Sequence, residues 1–200
     1  MALLLTRSEV ADLLSMGQAI ECTKAAFLEQ ANGHVCPQAP FVVGHDDREL
    51  RVNAGALAES QRAGLRAGMR GSGLALLYDT ASQELLSAMA YPFTYLRVGA
   101  TVALAVHHLA PPDAQRLLVI GTGRIARMAV EGISCLRQFE RLHVFSRQAE
   151  NRASFCAFAA DRLGLDIQPV ETAEPAAREA DVVVVATSAE EPVLDAAWLG

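Results

Sequence analysis

An α/β chain is predicted, with a doubly wound parallel sheet in its second half and an α+β segment ahead of it. Three observations predict it. A short apolar run, residues 116–120, leads straight into Gly121-Thr122-Gly123-Arg124-Ile125-Ala126 and a helix pattern. Beyond it, apolar runs alternate with helix patterns, as parallel strands with crossover helices do. Before it, residues 39–90 hold short apolar runs parted by turn residues, with helix patterns on either side.

In chain order, the apolar Met1–Leu5 reads as a strand or a helix lead-in. Thr6 and Glu9 form a capping box that opens a helix carrying Val10, Leu13 and Leu14. A second helix starts near Gly17 and stops at Gly33. Strand candidates follow at Phe41–Val43, Leu50–Val52, Leu74–Tyr78 and Glu84–Met89, with turns at Gly44–Asp47 and Asp79–Ser82. A helix over 93–109 ends before Pro111-Pro112. Neither proline can continue a helix, so the domain boundary is placed there. The second half then reads as strands 116–120, 141–146, 166–170 and 181–186, with helices 123–136, 149–163 and 173–179. Asp181–Ala186 is apolar on both faces, the mark of a buried parallel strand.

Composition narrows the function. The chain has 200 residues, 52% hydrophobic and 20% charged, with a formal net charge of −6. Without a basic stripe, nucleic acid is not expected as a partner. No apolar run is long enough to span a bilayer, and no signal-peptide pattern opens the chain. Cys22, Cys36, Cys135 and Cys156 lack metal-ligand spacing, so no metal site is expected. Reduced thiols point to the cytoplasm.

The glycine run carries the chemistry. Gly121 permits a tight turn, Gly123 lets backbone approach a pyrophosphate, and Ala126 lets the helix pack near the strand. The helix N-terminus then faces the phosphates, the Rossmann dinucleotide arrangement. The second strand of such a fold ends about 20 residues later at the adenosine ribose. Here it ends in Ser146-Arg147, where an NAD site would place a carboxylate. A hydroxyl and a cation favour NADP(H), with NAD(H) as the alternative. Ala186-Thr187-Ser188 closes the fourth strand at the crevice, as contacts to the nicotinamide ribose or as turn caps. This fold uses six strands in the order 3-2-1-4-5-6. Only four fit before Gly200, so a longer protein is expected.

The chain resembles the ornithine cyclodeaminase/mu-crystallin family. Leu5–Val10 and Met16–Ile20 match its opening pattern, and Phe93–Ala100 resembles its Thr-x-x-Arg-Thr-x-Ala helix start. Val119–Gly123 and Ala180–Val183 through Glu191–Leu194 match its nucleotide half. The resemblance implies a substrate-binding and dimerisation domain over 1–112 and an NAD(P)-binding domain over 113–200 that lacks its C-terminal part. It also implies NAD(P)-linked chemistry at the C–N bond of a small amino or imino acid, in a homodimer. The family's Pro-Arg is Pro37-Gln38 here, its Gly-x-Lys is Gly64-Leu65-Arg66, and the threonine after Arg97 is Val98. The family's catalytic aspartate falls beyond Gly200.

The candidate catalytic residues are therefore Arg97, Arg66 and Glu49. Arg97 would hold a substrate carboxylate in a bidentate fork, or form an internal salt bridge. Arg66 is a second carboxylate contact or a strand-edge charge. Glu49 matches a carboxylate for the substrate amine, or is an exposed strand residue. His107-His108 fit a helix end, and Tyr78 and Tyr95 fit core or interface roles. Two functions compete: an oxidoreductase or cyclodeaminase, and a catalytically inactive NADP(H)-binding sensor.

Overall fold

The computed structural model describes residues 1–37, 39–45, 48–69 and 71–199. Packing divides the chain into two units, Met1–Thr94 and Tyr95–Gly200. The division falls at the first residue of the long helix Thr94–Leu109, and Pro111-Pro112 follows that helix's end.

In the first unit, β1 (Leu3–Leu5) is followed by α1 (Arg7–Leu13) and α2 (Met16–Ala31). Thr6 and Ser15 cap the two helices, each with a complete capping box. Then come β2 (Val35–Pro37), β3 (Phe41–His45), β4 (Arg48–Leu57), β5 (Arg62–Gly68), β6 (Leu74–Asp79) and β7 (Leu85–Met89). They form a seven-stranded sheet in the order β1-β7-β6-β5-β4-β2, with β3 also on β4. The N-terminal leucines are a strand, paired parallel to β7. Neither β2 nor β5 was anticipated. The run Arg62-Ala-Gly-Leu-Arg-Ala-Gly has no β-branched or aromatic residue, so its strand state comes from pairing on both sides. The turn expected at Gly44–Asp47 begins as strand at Gly44, and Asp46 and Asp47 lie outside the described residues.

Side chains alternate across this sheet, so cross-strand register sorts them by face. Phe41, Val52, Ala67 and Leu74 line up across four strands on one face. Leu65, Leu76, Ala88 and Leu4 form the next row of the same face. Glu49, Arg51, Asn53 and Arg66 lie on the other, because Asn53 pairs with Arg66 and the strand period is two.

The second unit is three-layered. Its sheet holds β8 (Arg116–Ile120), β9 (Arg141–Phe145), β10 (Gln168–Val170) and β11 (Val182–Val185), all parallel, in the order β10-β9-β8-β11. Leu117 and Val119 of β8 face a core shared with α4 (Arg124–Leu136) and α5 (Ala149–Leu163). Leu118 and Ile120 face the other way, onto α6 (Ala173–Glu179). Each of these strand and helix segments was read within two residues of its position. α3 (Thr94–Leu109) packs against α4 through glycines. A Cβ on Gly99 would lie 2.5 Å from the Met128 carbonyl oxygen, and one on Gly132 would lie 2.8 Å from that of Gly99. That close approach is why α3 joins the second unit.

Asp181 ties β11 to β8 at their N-terminal ends. Its carboxylate accepts from the amides of Gln115 and Arg116, at 2.8 and 2.9 Å, and from the Arg116 guanidinium at 2.6 Å. The Arg116 hydrogen bond, then the backbone donors, hold its carboxyl well below the ordinary 3.8. A depressed folded-state value adds stability that is present above 3.8 and lost as pH falls through the folded value. Asp181→Asn should lower the melting temperature at pH 7, and the gap to wild type should narrow as pH drops below about 4, measured by circular-dichroism melts. An unchanged gap at acid pH would contradict this role.

Candidate functional site

The glycine turn leaves β8 at the C-terminal end of the sheet. Gly121 has φ +115°, and a Cβ there would lie 2.1 Å from the Ala186 carbonyl oxygen. Both facts demand glycine. The Gly121 amide donates to Phe145 O at 2.9 Å, and the Ala186 amide donates to Ile120 O at 2.8 Å. The ends of β8, β9 and β11 are thereby knitted together, bringing Ser146 and Ala186–Ser188 beside the turn.

Gly123 differs. Its φ of −74° suits any residue, and a Cβ there would meet nothing within 4 Å. Neither a positive φ nor a close contact requires glycine here. It is the N-cap of α4, and without a side chain it makes no cap hydrogen bond. The amides of Arg124, Ile125 and Ala126 accordingly have no acceptor among the described residues. Open space beside free helix-start amides fits a phosphate-bearing ligand. Ala126 is fully buried, as close packing of helix on strand requires, while Ile125 is 38% exposed beside the open turn. Thr122 is half-buried. Arg124 stacks its guanidinium 5.5 Å from the centre of the Tyr95 ring, which assigns that tyrosine a partner.

At the end of β9, Ser146 is half-buried and Arg147 is exposed with no side-chain partner among the described residues. Thr187 Oγ1 accepts from the Ala189 amide at 3.1 Å, so its hydroxyl caps a turn, whereas Ser188 is exposed. Sequence reading missed Arg152. From the first turn of α5 it reaches back and donates to Ser146 O at 2.6 Å.

The remaining candidates fall in different places. Glu49 and Arg66 share the polar face of the first unit's sheet. Arg66 lies in a central strand, not at a sheet edge, and donates to Thr94 Oγ1 at 2.6 Å. Glu49 is held by Arg51 at 2.8 Å. Asn53, directly across from Arg66, is a further polar residue of this face that sequence reading passed over. Arg97, in α3 of the second unit, is exposed, and its side chain makes no ion pair among the described residues. Gln38 lies outside the described residues. Among the described residues no group of three or more His, Cys, Asp or Glu could hold a metal ion, and no helix is long and apolar enough to cross a membrane. All four cysteines are free; burial pushes the Cys135 and Cys156 thiols up.

A parallel sheet in this order, with a locked first glycine and an open second one, defines a dinucleotide-binding α/β protein. The chain belongs to the ornithine cyclodeaminase/mu-crystallin family, whose model matches residues 1–200. It is 30% identical over 123 residues to the Delta(1)-pyrroline-2-carboxylate reductase of Bacillus cereus, covering 61% of this chain and 38% of that protein. The structure of Thermococcus litoralis Delta(1)-pyrroline-2-carboxylate reductase, in complex with NADH and L-proline, matches with TM-score 0.89 at 27% identity, over 98% of this chain and 65% of that one. An archaeal alanine dehydrogenase, a dimer with bound NAD, matches with TM-score 0.89 at 25% identity, over 99% of this chain and 64% of that one. The chain thus spans less than two thirds of the length of these relatives.

The two glycines should separate by mutation. Gly121→Ala forces a Cβ into the Ala186 carbonyl and should cost about 1–3 kcal/mol in a denaturant melt. Gly123→Ala should stay within about 1 kcal/mol of wild type. It should nonetheless weaken NAD(P)H binding about tenfold or more, the scale of a lost charge-assisted contact. Unchanged cofactor affinity in Gly123→Ala would sink the assignment.

Proposed function

We propose that the protein is an NAD(P)-dependent oxidoreductase or cyclodeaminase acting at the C–N bond of a small amino or imino acid. The observation that carries this reading is Gly123, whose open surroundings beside free helix-start amides leave room for a phosphate. Family membership and the named activities of the reductases and the dehydrogenase above support it.

The amides of residues 124–126 bind the pyrophosphate, and the dipole of α4 favours its charge. When bound, the nicotinamide supplies a hydride to the substrate's α-carbon, or accepts one from it. In the reductive direction a proton goes to the nitrogen and the imino acid becomes an amino acid. A cyclodeaminase borrows the hydride and returns it. Arg97 and Arg66 are each a candidate for the substrate carboxylate, since guanidinium forks match carboxylates. Glu49, oriented by Arg51, accepts hydrogen bonds from the substrate nitrogen. Arg66 orients substrate but cannot shuttle the proton, because guanidinium does not deprotonate. Steady-state assay of the full-length protein against cyclic and linear imino acids should show NAD(P)H oxidation, and Arg97→Met should raise KM more than it lowers kcat. Tight cofactor binding without turnover on any of them would leave a binding protein or sensor instead.

Ser146-Arg147 favours NADP(H). The full-length protein should bind NADPH about tenfold to a hundredfold more tightly than NADH, the range of one charge-assisted contact. Ser146→Asp should reverse this. Equal affinities in wild type would show that Arg147 is only a solvated helix-start residue.

The partner is a second copy of the chain. Phe41, Val43, Leu50, Leu74 and Leu4 on the apolar face are 64, 50, 38, 44 and 77% exposed. A contiguous uncovered apolar face of this kind marks an association surface. Sedimentation of the full-length protein at micromolar concentration should give a dimer, and Phe41→Glu with Leu74→Glu a folded monomer. A wild-type monomer would contradict this.

A further inference from the structure

We infer that Arg152 is a positioning residue for the adenosine end of the cofactor and sets the preference for a 2′-phosphate. This rests on the reading above that the end of β9 receives the adenosine ribose. The residue lies in the first turn of α5 and is half-buried. Its Nη1 donates to Ser146 O at 2.6 Å. A peptide unit is planar, with its carbonyl and N–H on opposite sides. Holding the Ser146 carbonyl toward Arg152 therefore turns the Arg147 amide the other way. One guanidinium thus fixes the Ser146–Arg147 turn that the ribose must meet.

Charge points the same way. Arg116 is neutralised by Asp181 and Arg178 by Glu174. Arg147 and Arg152 pair with no carboxylate among the described residues, as is also true of Arg97, Arg124, Arg127 and Arg137. Arg147 and Arg152 flank one turn, with Glu150 of the first turn of α5 between them in sequence. The helix start beside them is open as well. Its N-cap, Gln148, makes no side-chain cap hydrogen bond, because its amide oxygen accepts instead from Asn151 Nδ2 at 2.7 Å. A dianionic phosphate monoester compensates the two cations and meets the open helix start, whereas a ribose hydroxyl does neither. Arg152 acts on the phosphate through the turn it holds and through its unpaired charge.

The test is titration of the full-length protein with NADPH and NADH, and with 2′,5′-ADP and 5′-AMP as fragment probes. Wild type, Arg152→Gln, Arg152→Lys and Arg147→Ala are compared, each checked by thermal melt. Arg152→Gln should weaken NADPH and 2′,5′-ADP about tenfold while NADH and 5′-AMP change less than about twofold. Arg152→Lys keeps the charge and loses the Nη1 hydrogen bond to Ser146 O, so it should fall between wild type and Gln. Should Gln fail to fold, Lys alone decides: a reduced NADPH-to-NADH affinity ratio supports the role. An unchanged ratio in the folded variants overturns it, and so does an equal loss for both cofactors, which marks a purely structural arginine. If Arg147→Ala loses the preference while both Arg152 variants keep it, the turn reading stands and the role of Arg152 falls. If wild type shows no preference for the 2′-phosphate, both fall together.

Discussion

Gly121 is the constraint on which the second unit depends. A positive φ and a carbonyl 2.1 Å from its absent Cβ leave no other residue for the position. The closeness has a purpose in the fold. The chain leaves β8, turns, and starts α4 at the point where β9 lies on one side and β11 on the other. Sheets wound in two directions open a crevice at such a point. Because β8, β9 and β11 must end together there, the turns after each crowd round the start of α4. Ser146, Arg147 and Thr187 are near the glycines for this reason, though far from them in sequence. Gly123 is then free to leave space, since Gly121 has already set the backbone path.

One strand period gives the first unit's sheet two chemically different faces. Each strand sends alternate residues to opposite faces. In β4 the even positions Leu50 and Val52 face one way, and Glu49, Arg51 and Asn53 the other. One face carries the exposed apolar side chains Phe41, Leu50, Leu74 and Leu4. The other carries Glu49, Arg51, Asn53 and Arg66. A slip of one residue in register would exchange the two faces of a strand.

How far the sequence was legible follows from the same physics. The second unit was readable almost throughout, because buried parallel strands such as Leu117–Ile120 announce themselves as apolar runs and helices carry a distinct period. The capping box at Thr6 is local and was read, whereas the equally local one at Ser15 was passed over. β5 was not legible: a strand of Gly, Ala and Arg is stabilised by neighbours distant in sequence. Nor was the packing of α3 on α4, since Gly99 and Gly132 look like ordinary helix glycines until their carbonyl contacts are known. At the site, the glycine turn and Ser146-Arg147 could be read from spacing. Arg152 could not, because its reach of six residues crosses from strand end to helix; an arginine in the first turn of that helix was the available signal. The ion pair of Glu49 with Arg51 was also readable in principle, as both sit on one strand face.

The central claim is that the open turn at Gly123 is a pyrophosphate cradle. A crystal structure of the full-length protein soaked with NADPH tests it most directly. The account predicts pyrophosphate oxygens within hydrogen-bond distance of the amides of residues 124–126, with the adenosine ribose against Ser146 and Arg147. Cofactor density elsewhere, with water alone at the start of α4, would contradict it.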